Sequence, residues 1–305
     1  MTEDRSSLDS VVIGVCTYQR VSQLGVLLAE LQRQILACSD WNVRIIVADN
    51  DEKMTAKSAV EKASKDFPRV RIEYNCVPEK GVGFARNAIF DSLKSDELLI
   101  FFDDDQEPCP TWLAALLNRH LSVPDEVLVG PVIPVLPDSV PQWAVEAAAW
   151  GRREQPDGSI RSHAGFGNIL IPRSTLESGL CRVPEPFLRG PGEDTYITVA
   201  LRSAGYVIRY VDAARAVEPV ANERLNIPWL RQRATVSAET WVQVVRFTGG
   251  SKVRLVASAI KTLFGFCILK MQRNISRDQA LLMKLEVSAG RLVGYWRGFG
   301  SWLHS

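Results

Sequence analysis

The chain has 305 residues, 46% of them hydrophobic and 23% charged, which excludes an intrinsically disordered protein and supplies ample material for a packed core. At about 100–200 residues per domain, this length allows two domains, or one large domain with an appendage. Thirty-six basic and 35 acidic side chains leave a net charge of +1, which argues against a nucleic-acid binder. In chain order, Val11–Val15 is an apolar run that predicts a buried strand, and Leu24, Leu28, Leu31 and Ile35 follow at helical spacing. Val43–Ala48 is a second strand, followed by a polar helix near Thr55–Lys65. Val70–Asn75 is a third, followed by a helix near Phe84–Leu93. Leu98–Phe102 is a fourth, followed by a helix from about Pro110 with Trp112, Leu113 and Leu116 apolar. Further strands are expected at Gly165–Pro172 and Tyr206–Ala213, separated by a proline- and glycine-rich loop, Arg182–Asp194, and a helix. From about Asn222 the pattern is helical.

Continuous apolar strands alternating with helices predict an α/β fold with a mainly parallel sheet covered on both faces. Binding residues then belong at the carboxyl ends of the strands. Thr17, Tyr18 and Arg20 follow the first strand, Asp49, Asn50 and Asp51 the second, and Asp103, Asp104 and Asp105 the fourth.

Three motifs carry chemistry. In FFDDDQEP, three carboxylates close a buried strand, where their mutual repulsion and desolvation call for a cation. Magnesium or manganese suits such a site, taking one or two carboxylates and completing its shell with water and phosphate oxygens. The alternative is a solvated acidic turn. In GEDTYI, Glu193 and Asp194 open a helix, where carboxylates suit the dipole and where one of them is equally placed to act as a general base. In GVGFARN, Gly81 and Gly83 begin like a dinucleotide fingerprint, but Arg86 stands where that motif needs glycine or alanine. Arg86 suits either a nucleotide contact or a surface ion pair.

The ordered set CTYQR, VADND, GVGFARN, FFDDD, GNIL and GEDTYI resembles family 2 glycosyltransferases of the GT-A fold. Within that family, IGVCTY, VADND, ARN, DDD, GED and EPV…NER…WL are similar to bacterial succinoglycan-type exopolysaccharide glycosyltransferases, over about residues 10–240. The resemblance implies a metal-dependent, inverting transfer of a hexose from a UDP-sugar to a hydroxyl of a glycan or lipid-linked acceptor, in surface polysaccharide biosynthesis. It implies that Thr17, Tyr18, Arg20 and Asp51 line the nucleotide pocket, that Asp49 accepts from uracil, and that Arg86 meets the base or diphosphate. Asp103 and Asp105 are then the outer members of the DxD motif. Asp105, with Asp103, holds Mn2+ or Mg2+, and Asp103 or Asp104 lies near the ribose. Asp194 is the base, with Glu193 the alternative, and Gly167 and Asn168 fall near the acceptor. One position departs: related sequences often carry a histidine before the EP of EPV, and here Val217 stands there. Of the three histidines, His120, His163 and His304, His163 is placed to substitute from another loop, against the structural role that a lone histidine more often has.

Two other readings compete. A haloacid-dehalogenase-type phosphatase also places DxD after a strand, but its motif continues with threonine or valine where Glu107 stands. A non-catalytic sugar-nucleotide or glycan-binding protein of an assembly complex is the alternative from a different class.

A catalytic region over residues 1–220 is expected, with a nucleotide-sugar half at about 10–106 and an acceptor half at 107–220, followed by a basic helical region at 221–305. From Arg246 onward 10 basic and 2 acidic residues give +8, whereas residues 1–245 carry −7, so the tail suits an anionic partner such as a membrane surface. Arg254, Ser258, Lys261 and Gly265 form one helical stripe there, and Val256, Ile260, Leu263 and Cys267 the opposite one. Such an amphipathic helix suits a membrane interface, the catalytic domain or a second subunit in a homodimer. Arg254 and Lys261 interrupt the best apolar stretch, 253–269, so a spanning helix is not expected. Six cysteines without a CxxC pair and a polar, acidic start predict a reducing, cytoplasmic chain, peripheral on the inner face of the membrane if the tail binds lipid.

Overall fold

A computed structural model describes residues 10–146, 154–276 and 278–303. The elements in chain order are β1 (Ser10–Thr17), α1 (Val21–Ala37), β2 (Asn42–Asp49), α2 (Lys57–Asp66), β3 (Ile72–Cys76), α3 (Val82–Asp91), β4 (Glu97–Phe102), β5 (Glu107–Pro108) and α4 (Trp112–Ser122). They continue with β6 (Val127–Val129), β7 (Val132–Val135), α5 (Gln142–Glu146), β8 (Asn168–Ile171), α6 (Arg173–Leu176), α7 (Glu193–Ser203), β9 (Ile208–Tyr210) and β10 (Ala216–Pro219). Three long helices follow: α8 (Ile227–Phe247), α9 (Lys252–Ile275) and α10 (Gln279–Leu303).

The chain divides into two compact units, one of Met1–Ile133 with Arg152–Glu218 and the other of Pro134–Gly151 with Pro219–Ser305. The second unit thus joins Pro134–Gly151 to the three long helices.

In the first unit, a seven-stranded sheet has the order β3-β2-β1-β4-β8-β6-β9. β1 pairs in parallel with both β2 and β4, and β2 in parallel with β3. β8 runs antiparallel to both β4 and β6, so the sheet is mixed. Val11, Val12, Ile13, Ile45, Ile46, Leu99 and Ile100 are fully enclosed, as expected for strands covered on both faces. Leu24, Leu27, Leu28 and Leu31 of α1 pack into the same core as Trp112, Leu113 and Leu116 of α4. The strands at 165–172 and 206–213 are shorter than expected, at 168–171 and 208–210. Their outer residues leave the sheet for loops, where Asp103 N–H donates to Gly167 O at 3.2 Å.

Successive strands run outward from β1 to β3, and the chain then returns to place β4 on the other side of β1. This reversal leaves a crevice at the carboxyl ends of β1 and β4, where α/β sheets bind ligands. Thr17 and Asp103 end and follow these two strands.

In the second unit, α10 packs along α8 through Gly290, Gly294 and Gly298. A Cβ at Gly294 would lie 2.1 Å from Thr235 O, so only glycine permits this approach of backbones. α9 buries Leu255 in a cluster with Val242 and Val245 of α8, and its Ser258 hydroxyl lies 2.9 Å from the Tyr295 hydroxyl of α10 in a hydrogen bond. Of the stripe Arg254, Ser258, Lys261 and Gly265, Ser258 and Gly265 are partly covered by the neighbouring helices, while Arg254 and Lys261 are exposed, as are Val256, Ile260 and Leu263. Sequence periodicity separates two faces of a helix, but packing decides which one turns inward.

Candidate active site

The crevice is a cleft of about 400 Å3, lined by Cys16, Thr17, Tyr18, Arg20, Asn50, Arg86, Asp103, Asp104 and Asp105 together with Val82 and Ala85. Residues from three strand ends therefore meet at one place, as the alternation of strands and helices predicts.

Within the acidic triplet, the three carboxylates have different surroundings. Asp104 is buried; it accepts from the Thr17 hydroxyl at 2.7 Å and from Arg20 Nη1 at 2.5 Å. Asp105 lies 3.2 Å from the same guanidinium nitrogen. Asp103 lies 3.8 Å from Arg86 Nη2. Burial, together with repulsion from Asp105, Asp194 and Asp104, outweighs the pull of Arg86 and pushes the Asp103 carboxyl up to about 6. Gly167 makes room for this carboxylate: a Cβ there would lie 2.5 Å from Asp103 Oδ2.

Arg86 joins two motifs that are separate in sequence. It is buried, its guanidinium stands over the Phe166 ring at 5.0 Å, and it forms an ion pair with Glu193. Burial pushes the Glu193 carboxyl up, against the pull of Arg86. Asp194, the next residue, is half-buried; its Oδ1 accepts from the Thr195 N–H at 2.5 Å and from the Thr195 hydroxyl at 3.1 Å. Asp194 Oδ2 lies 3.3 Å from where a Cβ on Gly165 would stand. Gly165 also borders a second cavity, of about 110 Å3, with Glu154, Arg161, His163, Asn168 and Tyr210 in its wall.

Asp49, Asp51 and Asn168 have hydrogen-bond partners of their own. Asp49 is fully buried and ties the start of α2 to β3, accepting from Ala56 N–H at 2.9 Å and from the Tyr74 hydroxyl at 2.7 Å. Asp51 is buried too. Burial alone would raise its carboxyl, but hydrogen bonds from Lys53 N–H and the Thr55 hydroxyl hold it below its ordinary range. Asn168 is enclosed, accepting from Trp112 Nε1 at 2.7 Å and donating to Ala214 O at 2.8 Å, so its amide serves packing. Tyr18 is 46% exposed at the mouth of the cleft. Burial pushes the Cys16 thiol up to about 12, so it stays protonated, in keeping with a packing role.

The glycines of GVGFARN admit a loop rather than a phosphate: a Cβ on Gly81 would lie 2.1 Å from Leu188 O, and one on Gly83 2.7 Å from Leu188 Cα. Val217 pairs with Glu107 across β10 and β5, and His120 packs near Trp41. His304 lies outside the described residues. Sequence reading missed the Arg20–Asp104 clamp and the Phe166 platform under Arg86. Arg20 was legible as a polar residue after β1, but its partner lies 84 positions away.

Among the described residues, no group of three or more His, Cys, Asp or Glu side chains could hold a metal by itself. The carboxylates nonetheless fit a hard divalent cation. Asp103 and Asp105 present oxygens to the cleft with mutual repulsion to relieve, and magnesium or manganese needs only one or two carboxylates when phosphate completes the shell.

The chain matches the family model of glycosyl transferase family 2 over residues 12–178, more than half its length, and it belongs to that family of glycosyltransferases. It is 29% identical over 238 residues to the succinoglycan biosynthesis protein ExoM of Rhizobium meliloti (strain 1021), covering 75% of this chain and 72% of the relative. Among solved structures, it is similar to the mannosyltransferase PcManGT from Pyrobaculum calidifontis, solved with GDP-Man and Mn2+. The TM-score is 0.65 at 14% identity, covering 95% of this chain and 87% of that one. It is also similar to S. aureus TarS in complex with UDP, with a TM-score of 0.52 at 14% identity, covering 97% and 92%. At these identities the structural likeness establishes the fold, which is GT-A.

Proposed function

We propose that the protein transfers a hexose from a UDP-sugar to a hydroxyl of a glycan or lipid-linked acceptor with inversion at the anomeric carbon, in bacterial surface or exopolysaccharide biosynthesis. The observation that carries this reading is the Arg86–Glu193 pair. It occupies one carboxylate of the GED motif and leaves its neighbour, Asp194, half-buried beside Gly165. The match to the succinoglycan protein supports the polysaccharide class.

In this mechanism, Thr17, Tyr18 and Arg20 hold the nucleotide, and Arg86 offers charge toward the diphosphate. Asp105 and Asp103 would hold Mn2+ or Mg2+, which when bound supplies Lewis-acid stabilisation to the leaving diphosphate. The acceptor hydroxyl gives its proton to Asp194 Oδ2 as its oxygen forms the new bond to the anomeric carbon. The old bond to the diphosphate oxygen breaks with its electron pair on the nucleotide. Attack from the opposite face inverts the centre, and no protein nucleophile takes part. Positioning of donor and acceptor contributes roughly 7–11 kcal/mol in well-oriented reactions.

The test is UDP release from a panel of UDP-sugars, with and without manganese, in wild type and Asp105→Asn. Manganese-dependent release lost in the variant is expected. Release from GDP-sugars alone, or release indifferent to metal, overturns the corresponding part of the reading. Proton NMR of the product's anomeric coupling tests inversion.

A further inference from the structure

The outward face of α9 has a composition that its own unit does not use. Ile260, Phe264 and Met271 are 61%, 69% and 68% exposed, and Val253, Val256 and Leu263 are exposed with them. At about 100° per residue these side chains fall on one side of the helix, opposite Leu255, Ser258 and Thr262. The stripe runs the length of a 24-residue helix, about 36 Å. A contiguous apolar face of this extent marks an interaction surface.

Charge identifies the partner. Lys252 and Lys270 border the stripe on one side and Arg254 and Lys261 on the other, and residues 252–275 contain no acidic residue. Between α8, α9 and α10 lies a cleft of about 840 Å3 whose charged lining is Arg233, Lys261, Lys284 and Arg291, again without a carboxylate. Lys261 belongs to both features. A second copy meeting this face about a two-fold axis would set cations against cations. Among the described residues no helix is long and apolar enough to cross a membrane, so the face suits an interface rather than a span.

We propose that α9 is a peripheral membrane-docking helix. Its outward stripe enters the headgroup–acyl boundary of an anionic bilayer, and its flanking lysines and arginines snorkel to lipid phosphates. This does not rest on the catalytic reading.

The experiment is flotation of the full chain with equimolar phosphatidylglycerol–phosphatidylcholine vesicles and with phosphatidylcholine alone, at low and high salt. Sedimentation of the lipid-free protein accompanies it. Wild type floats with the anionic vesicles only, and less at high salt. Ile260→Asp/Phe264→Asp/Met271→Asp reduces binding at least about tenfold, because each buried apolar side chain contributes favourably. Lys252→Gln/Lys261→Gln/Lys270→Gln reduces it on the order of fivefold per charge. These lysines are exposed, so this series decides the matter even if the aspartate variant misfolds. Equal flotation with neutral lipid, no flotation of wild type, or flotation unaffected by the lysine series overturns the proposal. A dimer in sedimentation that the variants dissociate, without any vesicle binding, would assign the face to a second copy instead.

Discussion

Arg86 and Glu193, 107 residues apart, form a buried ion pair that ties α3 to the first turn of α7. The pair separates the roles of two adjacent carboxylates: Glu193 is committed to Arg86, while Asp194 keeps an oxygen beside Gly165. Asp194→Asn is therefore expected to lower kcat by about 10²–10⁴-fold while leaving the thermal midpoint nearly unchanged. Glu193→Gln leaves the buried Arg86 guanidinium with Asp103, 3.8 Å away, as its remaining ion-pair partner and should cost about 2–4 kcal/mol of stability. Steady-state transfer assays beside thermal denaturation check both. A stable but inactive Glu193→Gln with an active Asp194→Asn would reverse the assignment.

Arg20 grips Asp104 and approaches Asp105 at 3.2 Å, so a cation entering the cleft competes with a guanidinium for Asp105. Asp105→Asn should abolish stimulation by manganese and lower kcat/KM by about 10²–10³-fold. Chelation of wild type should produce a similar loss, restored by added manganese. Isothermal titration of manganese with UDP present is the direct measurement, and unaltered affinity in Asp105→Asn would remove that residue from the metal shell.

Gly167 stands where any side chain would strike Asp103, with a Cβ 2.5 Å from both Asp103 Oδ2 and Gln106 Nε2. Gly167→Ala must displace the Asp103 carboxylate, since a contact that close cannot be relieved in place. Activity should fall on the order of 10²-fold, as expected for a misplaced reacting group, with less effect on the melting temperature. A crystal structure of the variant with Asp103 unmoved and full activity would show that the carboxylate's position is not critical.

The central strands were legible because apolar runs such as LLIFF have one economical placement, between two covering layers. The same logic put Thr17, Asn50 and the acidic triplet at one edge. Position along the chain does not reveal pairing partners, so the Arg20–Asp104 and Arg86–Glu193 contacts, 84 and 107 residues apart, stayed hidden. Asn168 looked like a group for the acceptor, yet Trp112 and Ala214 take up its amide. The stripes of α9 were also legible, but their direction depends on Tyr295 and the other residues that pack against it.

Arg44 and Glu97 form a bidentate pair at 2.6 and 2.7 Å, with both side chains buried. Arg44 also meets Glu73 at 2.8 Å, and Glu97 accepts from Lys94 N–H at 2.7 Å. Burial would raise the Glu97 carboxyl, but the Arg44 and Lys94 hydrogen bonds and the Arg44 charge outweigh it and hold the group below its ordinary value of 4.5. The depressed value means that the folded chain binds this proton less readily than the unfolded chain. Its stabilisation is present above the unfolded pKa and is lost as pH falls through the folded one. Glu97→Gln should therefore destabilise the protein at neutral pH by about 2–4 kcal/mol, since Arg44 retains Glu73. The deficit should shrink as the pH is lowered below the ordinary carboxylate range, where the wild type protonates too. Urea unfolding of both proteins across that range measures it, and a deficit that stays constant with pH would assign the loss to packing rather than to charge.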